Sequence, residues 1–527
     1  MTRRAALAAA ALAAAAVLAA GPAGATGFTD VGQDIEARAG TAFAATGALR
    51  LRGEALANLD LDRGTTPAGA PLFPVPLGDP GAQTLTHGDL RLRTDLAFFG
   101  PGAGVAVKVR LDLLDDVALG SAPAGTPIDT RAQRSPADAI RVKRAYGEAL
   151  TPVGLFAAGR LGSHWGLGML ANAGDCLDCD AGDTADRAAW IAPLLGHLVA
   201  AAYDVSASGP FAPRVDGARV VDLDRADDSR SVTLAILRWR GDAARARRRQ
   251  AGKATLDYGA YLSHRWQDRD VPAWYLPTAQ PAPITPAAEM ARGFRATAVD
   301  AWVRLTLPRA RVEAEAALIL GALDQPSLIP GVLLPDPVRS RQWGAAVESE
   351  LGAPDAAFAG GVDLGVASGD PAPGFGAFPD LSGRAPRPGD LDGPQASAPG
   401  DHRVDNFRFH PDYRVDRILF REIIGTVTDA VYVRPHARWR SGALGAGTLT
   451  VALAVIASRA LHADSTPGGA APLGVEFDPT VAYESRDGFT LALEHAVLLP
   501  LSGLDNPATG QSARPAQLLR LRAVYLF

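Results

Sequence analysis

Apolar and charged residues alternate along several segments of the chain, and this period-two pattern constrains the fold more than any other feature. It is clearest over residues 49–61, where the odd-numbered residues are mostly apolar and Arg50, Arg52 and Glu54 are among the even-numbered ones. Successive side chains of a β-strand point to opposite faces, so the segment predicts a strand with one apolar and one charged face. In water the apolar face would need a partner sheet, whereas in a bilayer it faces lipid and the charged face lines an aqueous lumen.

The same alternation recurs in further segments, which are separated by connections that are short and long in turn. Segments 90–98 and 105–113 both show it, and only the turn at 100–102 lies between them. Short turns at one end and long loops at the other are typical of transmembrane barrels. We therefore predict an all-β fold: a transmembrane antiparallel β-barrel of about 18 strands (16–18), with short periplasmic turns and long extracellular loops. A soluble sandwich or propeller is the alternative, but the sequence shows no repeat of blade length.

The N-terminus predicts export. Arg3 and Arg4 precede an Ala/Leu-rich run, and a small-x-small cleavage motif follows at 23–25. This pattern is that of a signal peptide over 1–25. Elsewhere the sequence has no run of the roughly 20 apolar residues that a membrane helix needs.

The mature chain is predicted to be one barrel. We assign 26–44 to an N-terminal periplasmic segment and 45–527 to the barrel, with a long loop at 370–425. The second half of this loop, 406–424, mixes aromatic and charged residues at a spacing that suits a short helix. The loop is the candidate constriction of the lumen, although it could equally cap the outer rim. If it is the constriction, deleting 377–400 raises the conductance.

The charged faces of the predicted strands supply the candidate lumen-lining residues. These are Arg50, Arg52, Arg91, Arg93, Asp95, Lys108, Arg110, Asp112, Arg160, Glu313, Glu315 and Asp363. Cations facing anions across a lumen favour water and polar solutes, and an excess of arginine favours anionic solutes. Ordinary charge pairing along the barrel wall accounts for the same residues equally well.

Residues 164–187 contain the densest group of acidic side chains. The candidate Ca²⁺ ligands there are Asp175, Asp178, Asp180 and Asp183. Closely spaced carboxylates suit Ca²⁺, which accepts flexible oxygen coordination. The residue order is not that of an EF-hand, and a solvated acidic loop without metal is the alternative.

Both cysteines of the chain, Cys176 and Cys179, lie in the same segment. A Cys-x-x-Cys motif is compatible with a disulfide, half of a zinc site or a redox pair. Export favours the disulfide.

The C-terminal segment, 517–527, alternates in the same way and ends on two aromatic residues, Tyr525 and Phe527. It resembles the last strand of bacterial outer-membrane β-barrels, although Arg522 stands where those strands carry a small residue. The resemblance implies that the barrel-assembly machinery reads Tyr525 and Phe527 and that this strand closes the barrel against the first.

Residues 146–170 resemble paired strands of large substrate-selective porins and polysaccharide-export barrels, in which Gly-Arg closes one strand and Trp-Gly begins the next loop. With 175–186 and 406–424, the chain resembles a family of exported outer-membrane barrels from GC-rich Gram-negative bacteria that has no assigned function. The resemblance implies a location in the outer membrane, outer-membrane lipids around the barrel, and a water-filled pore for a small polar solute or saccharide.

The sequence thus predicts a porin-like channel for small hydrophilic solutes or saccharides. The alternative is a structural or ligand-binding barrel with a closed lumen that acts through its extracellular loops, and a barrel enzyme is the third hypothesis. Because no nucleophile, base and orienting acid converge by spacing, we predict no enzyme activity. We predict no cofactor other than the candidate Ca²⁺, and export makes a nucleic-acid partner unexpected.

Overall fold

The computed structural model describes residues 28, 31–32, 38–78, 83–102, 104–119, 139–214, 217, 220–272, 284–329, 331–375, 387–391 and 401–527. The predicted signal peptide, 1–25, lies outside the described residues, as does most of the segment 377–400. The first strand begins at Ala42, inside the segment 26–44 that was predicted to be periplasmic.

The regular secondary structure of the described residues consists almost entirely of β-strands. They are β1 (Ala42–Ala57), β2 (Thr84–Phe99), β3 (Val105–Ala118), β4 (Ile140–Thr151), β5 (Gly154–Gly162), β6 (Thr184–Leu194), β7 (His197–Ser206), β8 (Phe211–Pro213), β9 (Val220–Asp222), β10 (Ser229–Arg238), β11 (Thr255–Asp270), β12 (Met290–Thr306), β13 (Ala310–Leu323), β14 (Val338–Leu351), β15 (Phe358–Ala367), β16 (Ala430–Leu444), β17 (Gly447–Ala460), β18 (Pro472–Ser485), β19 (Phe489–Pro500) and β20 (Ala516–Leu526). The helical elements are α1 (Asp242–Gln250) and short turns at Pro286–Ala288, Leu419–Ile423, Ala463–Ser465 and Ser502–Leu504. Within the described ranges, no helix is long and apolar enough to span a bilayer.

In the described part of the chain, 18 strands form one antiparallel sheet that closes on itself. Strands β8 and β9 form a separate hairpin, so β7 pairs directly with β10. Strand β1 pairs with both β2 and β20, and the closing register sets Leu49 opposite Tyr525. Phe527 and Gly47 exchange two backbone hydrogen bonds of 2.9 and 3.1 Å. The predicted closed barrel is confirmed, and closure leaves the sheet without an unpaired edge.

The two faces of the barrel differ in polarity because the sequence alternates. Leu51 and Leu521 are exposed on the outer surface, whereas their neighbours Arg52 and Arg520 are buried inside. Since each strand gives every second residue to each face, one sheet is apolar outside and charged inside.

Strand β1 departs from the prediction at its outer end. It ends at Ala57 rather than at residue 61, because Asn58 adopts a positive φ of 59° that turns the chain. Asparagine tolerates this conformation better than most residues. Leu59 and Leu61, predicted to continue the lipid-facing row, are instead buried in the core beneath the outer loops.

The connections alternate in length around the barrel, as predicted. The start of β1 and the end of β20 lie at the end of the barrel that carries the short turns, at 100–104, 152–153, 195–196, 307–309, 352–357, 445–446 and 486–488. The described residues of the long connections lie at the other end; these connections are 58–83, 119–139, 163–183, 207–228, 271–289, 324–337, 368–429, 461–471 and 501–515. By the usual topology of such barrels, the short turns are periplasmic and the long loops extracellular.

Helix α1 is the exception to the short turns, because it lies in the connection between β10 and β11. Asp242 in its first turn and arginines in its last turn complement the helix dipole. Arg245 lies over the ring of Trp239 with 4.5 Å between the guanidinium carbon and the ring centre.

The described residues of the N-terminal segment lie against the inner wall of the barrel. The backbone N–H of Gly32 donates to the Glu148 carboxylate at 3.0 Å. Phe28 and Val31 are buried in a cluster that includes Leu155. This segment therefore covers part of the inner surface with apolar side chains.

Candidate functional site: the constricted lumen

Among the described residues, two long loops fold into the lumen, and the first is the Asp-rich loop, 163–183. A disulfide joins Cys176 to Cys179 at its tip, as predicted. Gly174 has φ +69°, and a Cβ there would lie 2.8 Å from the Cα of Gly182. Glycine is therefore required where the two sides of this loop approach each other.

Arginines of the first strands hold the tip of the Asp-rich loop. Arg50 donates to Asp180 at 2.8 Å, and Arg52 donates to Asp178 at 3.2 Å and to Asp180 at 3.0 Å. Arg91 donates to the backbone carbonyls of Leu177, at 3.0 Å, and Cys179. The charged face of β1 and β2 is thus a binding surface for a loop of the same chain.

The 401–429 loop lies on the other side of the same two aspartates. Arg421 donates to Asp178 at 2.5 Å, and Arg414 lies 3.3 Å from Asp180. Asp412 accepts the backbone N–H of Asp180 at 2.9 Å. The two inward loops therefore bind each other as well as the wall.

The 401–429 loop is anchored to the wall by one carboxylate. Glu476 on β18 accepts the backbone N–H groups of Arg417, Ile418 and Leu419 at 2.9, 2.8 and 3.0 Å. These N–H groups begin the helical turn Leu419–Ile423, so a buried carboxyl group satisfies donors that the turn leaves unpaired.

Apolar packing completes the docking of this loop. Its buried side chains include Phe407, Phe409, Ile418, Leu419 and Phe420. A Cβ on Gly344 of β14 would lie 2.5 Å from the ring of Phe407, so the wall needs glycine where the ring approaches it.

The aspartates of the constriction are ionised far into the acid range. Burial alone raises the pKa of Asp178, but the charges of Arg421 and Arg520 outweigh it and hold the pKa well below its ordinary value. Burial opposes ionisation of Asp180 in the same way, and Arg52 and Arg50 lower its pKa to about 2. The constriction therefore keeps its fixed negative charges throughout the physiological range.

Cavities lie beside the docked loops. A cavity of about 1210 Å³ at the end with the short turns reaches from Asp175 to helix α1. A cavity of about 240 Å³ adjoins the 401–429 loop, and six arginines and four carboxylates line it. The arginines are Arg414, Arg417, Arg421, Arg434, Arg438 and Arg520.

The structure places the predicted lumen residues on the inward face, with one exception. Arg50, Arg52, Arg91, Arg93, Asp95, Lys108, Arg110, Asp112, Glu313, Glu315 and Asp363 each pair with wall or loop groups inside the barrel. Several bind structural partners: Glu315, for example, accepts the backbone N–H of Leu170 in the Asp-rich loop at 3.3 Å.

Arg160 is the exception, and the prediction that it lines the lumen is wrong. Its side chain is 47% exposed and pairs with the exposed Asp186 at 2.8 Å. On β5 the buried side chains are Leu155, Ala157 and Leu161, which have the opposite parity. The inner face of this strand is apolar because it packs in the cluster that includes Phe28 and Val31. A charged residue on β5 therefore lies on the outer face of the barrel.

The structure does not gather the four candidate calcium ligands of the Asp-rich loop into one site. Asp178 and Asp180 bind arginines, Asp175 pairs with Arg144 at 2.5 Å, and Asp183 lies 3.5 Å from His410. Calcium binding at these residues stays a prediction, and the arginines already supply the positive charge that the ion would bring.

Sequence reasoning missed the arginines that complete the constriction, above all Arg414 and Arg421. Both lie in the segment 406–424, whose mixture of aromatic and charged residues was the available signal. Arg520 is a further partner of Asp178, at 3.4 Å, and its inward position follows from the alternation of the last strand.

One cluster resembles a catalytic triad in composition only. His462 lies 2.8 Å from Asp429, and Ser465 also donates to Asp429. In a triad the serine bonds to the histidine, which activates it. Here both side chains bind the aspartate, and the absence of enzyme activity stays a prediction.

The closed barrel, its apolar outer surface and its charged, loop-narrowed lumen define the class of the protein: a transmembrane β-barrel of porin architecture.

No family model and no curated protein sequence matches the chain. Among solved structures, OpdK from Pseudomonas aeruginosa with vanillate is 9% identical over 92% of this chain and 98% of that one, with a TM-score of 0.45. A BenF-like porin from Pseudomonas fluorescens Pf-5 is 12% identical over 92% and 98%, with a TM-score of 0.43. The channel DcaP of Acinetobacter baumannii is 12% identical over 93% and 99%, with a TM-score of 0.35. At these values the likenesses carry no argument about solute or mechanism.

Proposed function

We propose that the protein is an outer-membrane channel of porin type that passes small hydrophilic solutes or saccharides. The observation that carries the proposal is the lumen: a charged wall narrowed by two loops that are fixed by ion pairs. An unplugged barrel of 16–18 strands is wide enough for an aqueous channel, so fixed loops set its limiting width.

The apolar belt supports the location. Exposed leucine and valine side chains alternate with buried charges around the barrel, which is unfavourable in water and favourable in lipid. Outer-membrane lipids are therefore the proposed surroundings, and recognition of Tyr525 and Phe527 by the assembly machinery remains a prediction.

The charges at the constriction support a preference for anions. The cavity beside the 401–429 loop has six arginines against four carboxylates. Rings of arginine favour anions because ions lose part of their hydration in a narrow pore and need compensating charge. We infer that small organic anions pass more readily than cations of the same size.

A liposome-swelling assay tests the proposal. Liposomes containing the refolded protein are transferred into iso-osmotic solutions of a monosaccharide, a small carboxylate salt or a small ammonium salt. We expect swelling with the sugar and faster swelling with the carboxylate than with the ammonium salt. Absence of swelling by protein that is shown to be folded would refute the channel.

The second candidate is a barrel with a closed lumen that acts through its extracellular loops. The apolar core of the 401–429 loop favours it, since Phe407, Ile418 and Ile424 are fully buried inside the barrel. The same assay separates the two, because a closed barrel permits no swelling with any solute.

A further inference from the structure

The connection between β7 and β10 contains a cluster of carboxylates outside the lumen network. Strand β9 ends at Asp222, and the following turn carries Asp227 and Asp228. One carboxylate oxygen from each of these three residues lies within 4.8 Å of the other two. The cluster lies at the end of the barrel with the long loops.

Asp227 distinguishes this cluster from ordinary surface aspartates. Its side chain is 0% exposed, and neither carboxylate oxygen has a hydrogen-bond partner among the described residues. Asp228 is 4% exposed, and its Oδ1 also lacks a partner in the described part of the chain. Buried carboxylates are nearly always paired with cations or hydrogen-bond donors, as Asp178 is in the lumen.

The backbone around the cluster is fixed in place. Ala226 accepts the N–H of Arg269 at 3.1 Å, and the carbonyl of Asp227 accepts the side-chain amide of Gln267 at 2.8 Å. The carboxylate of Asp224 accepts the N–H of Ala226 at 2.9 Å. These contacts hold the turn against β11, so the three carboxylates are held together although they repel each other.

Glycine 209 makes room for the unpartnered carboxylate. A Cβ at this position would lie 1.8 Å from Oδ2 of Asp227. Gly209 also has φ +72°, which disfavours other residues there.

The cations near the cluster are engaged elsewhere. Arg269 pairs with Glu289 at 2.8 Å, and Arg292 pairs with Asp270 at 2.6 Å. Arg230 donates to the backbone carbonyl of Arg225. These three arginines therefore have partners outside the cluster.

We propose that Asp222, Asp227 and Asp228 bind one Ca²⁺ ion at the outer mouth of the barrel. The three ligands are oxygens, which favours a hard cation over zinc or copper. Ca²⁺ suits an irregular turn better than Mg²⁺, which demands near-ideal octahedral geometry. The site lies outside the lumen, so the inference does not depend on conduction.

Calorimetric titration of the chelator-treated, refolded full-length barrel in detergent tests this inference. We expect one Ca²⁺ per chain, with Mg²⁺ binding more weakly, and a higher melting temperature in Ca²⁺. Asp227→Asn and Asp228→Asn should each weaken binding at least about tenfold, since each removes a charged ligand. Heat-modifiable migration on gels shows that each variant is folded.

Asp183→Asn is the matched control, because it removes a carboxylate of the Asp-rich loop that the sequence suggested as a calcium ligand. We expect it to bind Ca²⁺ like the wild type. No binding by folded wild-type protein, unchanged binding in Asp227→Asn and Asp228→Asn, or loss of binding in Asp183→Asn alone would each overturn the proposal.

Discussion

At the scale of single residues, Asp178 and Asp180 are the centre of the constriction. Asp178 lies between Arg52 of the first strand, Arg421 of the 401–429 loop and Arg520 of the last strand. The carboxylate of Asp178, which belongs to a loop, thus pairs with arginines of both the first and the last strand of the barrel. Its loss would remove one counter-ion from each of these guanidinium groups, which keep other carboxylate partners such as Asp89, Asp180 and Glu54.

Asp178→Asn should therefore loosen the docked loops without unfolding the barrel. We expect a destabilisation of the loops of about 2 kcal/mol, because charge-assisted hydrogen bonds from Arg52 and Arg421 are weakened. Limited trypsin digestion followed by mass spectrometry should show new cleavage after Arg414 or Arg421.

The matched control is Asp186→Asn, which breaks the exposed pair with Arg160. Exposed pairs contribute roughly 0–1 kcal/mol, so the digestion pattern should stay that of the wild type. Equal protection of the loops in both variants would contradict the role given to Asp178.

The low pKa values of Asp178 and Asp180 predict how the docking of the Asp-rich loop depends on pH. The folded pKa of Asp180 is about 2, below the roughly 3.9 of an unfolded aspartate. Ionised Asp180 therefore stabilises the docked loop fully at pH values above the pKa of the unfolded state. This stabilisation is lost as the pH falls through the pKa of the folded state. We expect the Cys176–Cys179 disulfide, in which Cys179 is buried, to react slowly with a phosphine reductant at pH 5 and much faster near pH 2.

The denatured chain, treated at the same two pH values, corrects for the intrinsic pH dependence of the reductant. A ratio of folded to denatured rates that does not change between pH 5 and pH 2 would show that the aspartates do not hold the loop.

At the scale of elements, the strands could be predicted from local sequence patterns, whereas the positions of the loops depend on contacts between distant residues. Strands such as β1 were predictable because the outer face contacts lipid and the inner face carries charge. Apolar and charged residues therefore alternate along each such strand. Strand β5 was harder to orient, since Phe28 and Val31 make its inner surroundings apolar. The outer end of β1 depended on the turn at Asn58, which strand alternation does not show.

The inward loops could not be assembled from sequence alone. The Asp-rich loop was interpreted as a calcium candidate because its counter-charges are distant in the chain. Asp178 is 126 residues from Arg52 and 243 residues from Arg421. Local patterns report spacing along one element, whereas these contacts depend on how the whole barrel closes.

The anchor of the 401–429 loop provides an element-scale test. Glu476→Ala removes the acceptor of three backbone N–H groups, which then lie buried without a partner. We expect the helical turn Leu419–Ile423 to undock, which would be measured as faster hydrogen exchange of its amides.

Glu484→Ala on the same strand is the control. Glu484 is 46% exposed and pairs with Arg440 at 3.5 Å, so its removal should leave exchange in the loop unchanged. Equal exchange rates in Glu476→Ala and the wild type would show that Glu476 does not anchor the loop.

At the scale of the whole molecule, the closure of the barrel, the placement of its loops and the distribution of its charges together define the lumen. The last strand pairs with the first, the long loops share one end, and two of them fold inward onto an arginine-rich wall. In this arrangement the width of the lumen is set by ion pairs rather than by strand number. The central claim is that a water-filled path remains beside these loops and favours anions.

Single-channel recording of the refolded mature protein in a planar bilayer tests that claim most directly. We predict stable ohmic steps and, in a salt gradient, a reversal potential of the sign that anion preference requires. Asp178→Asn should increase the current noise, because its loops are less firmly held. Silence from protein shown to be folded, or a clear preference for cations, would contradict the account.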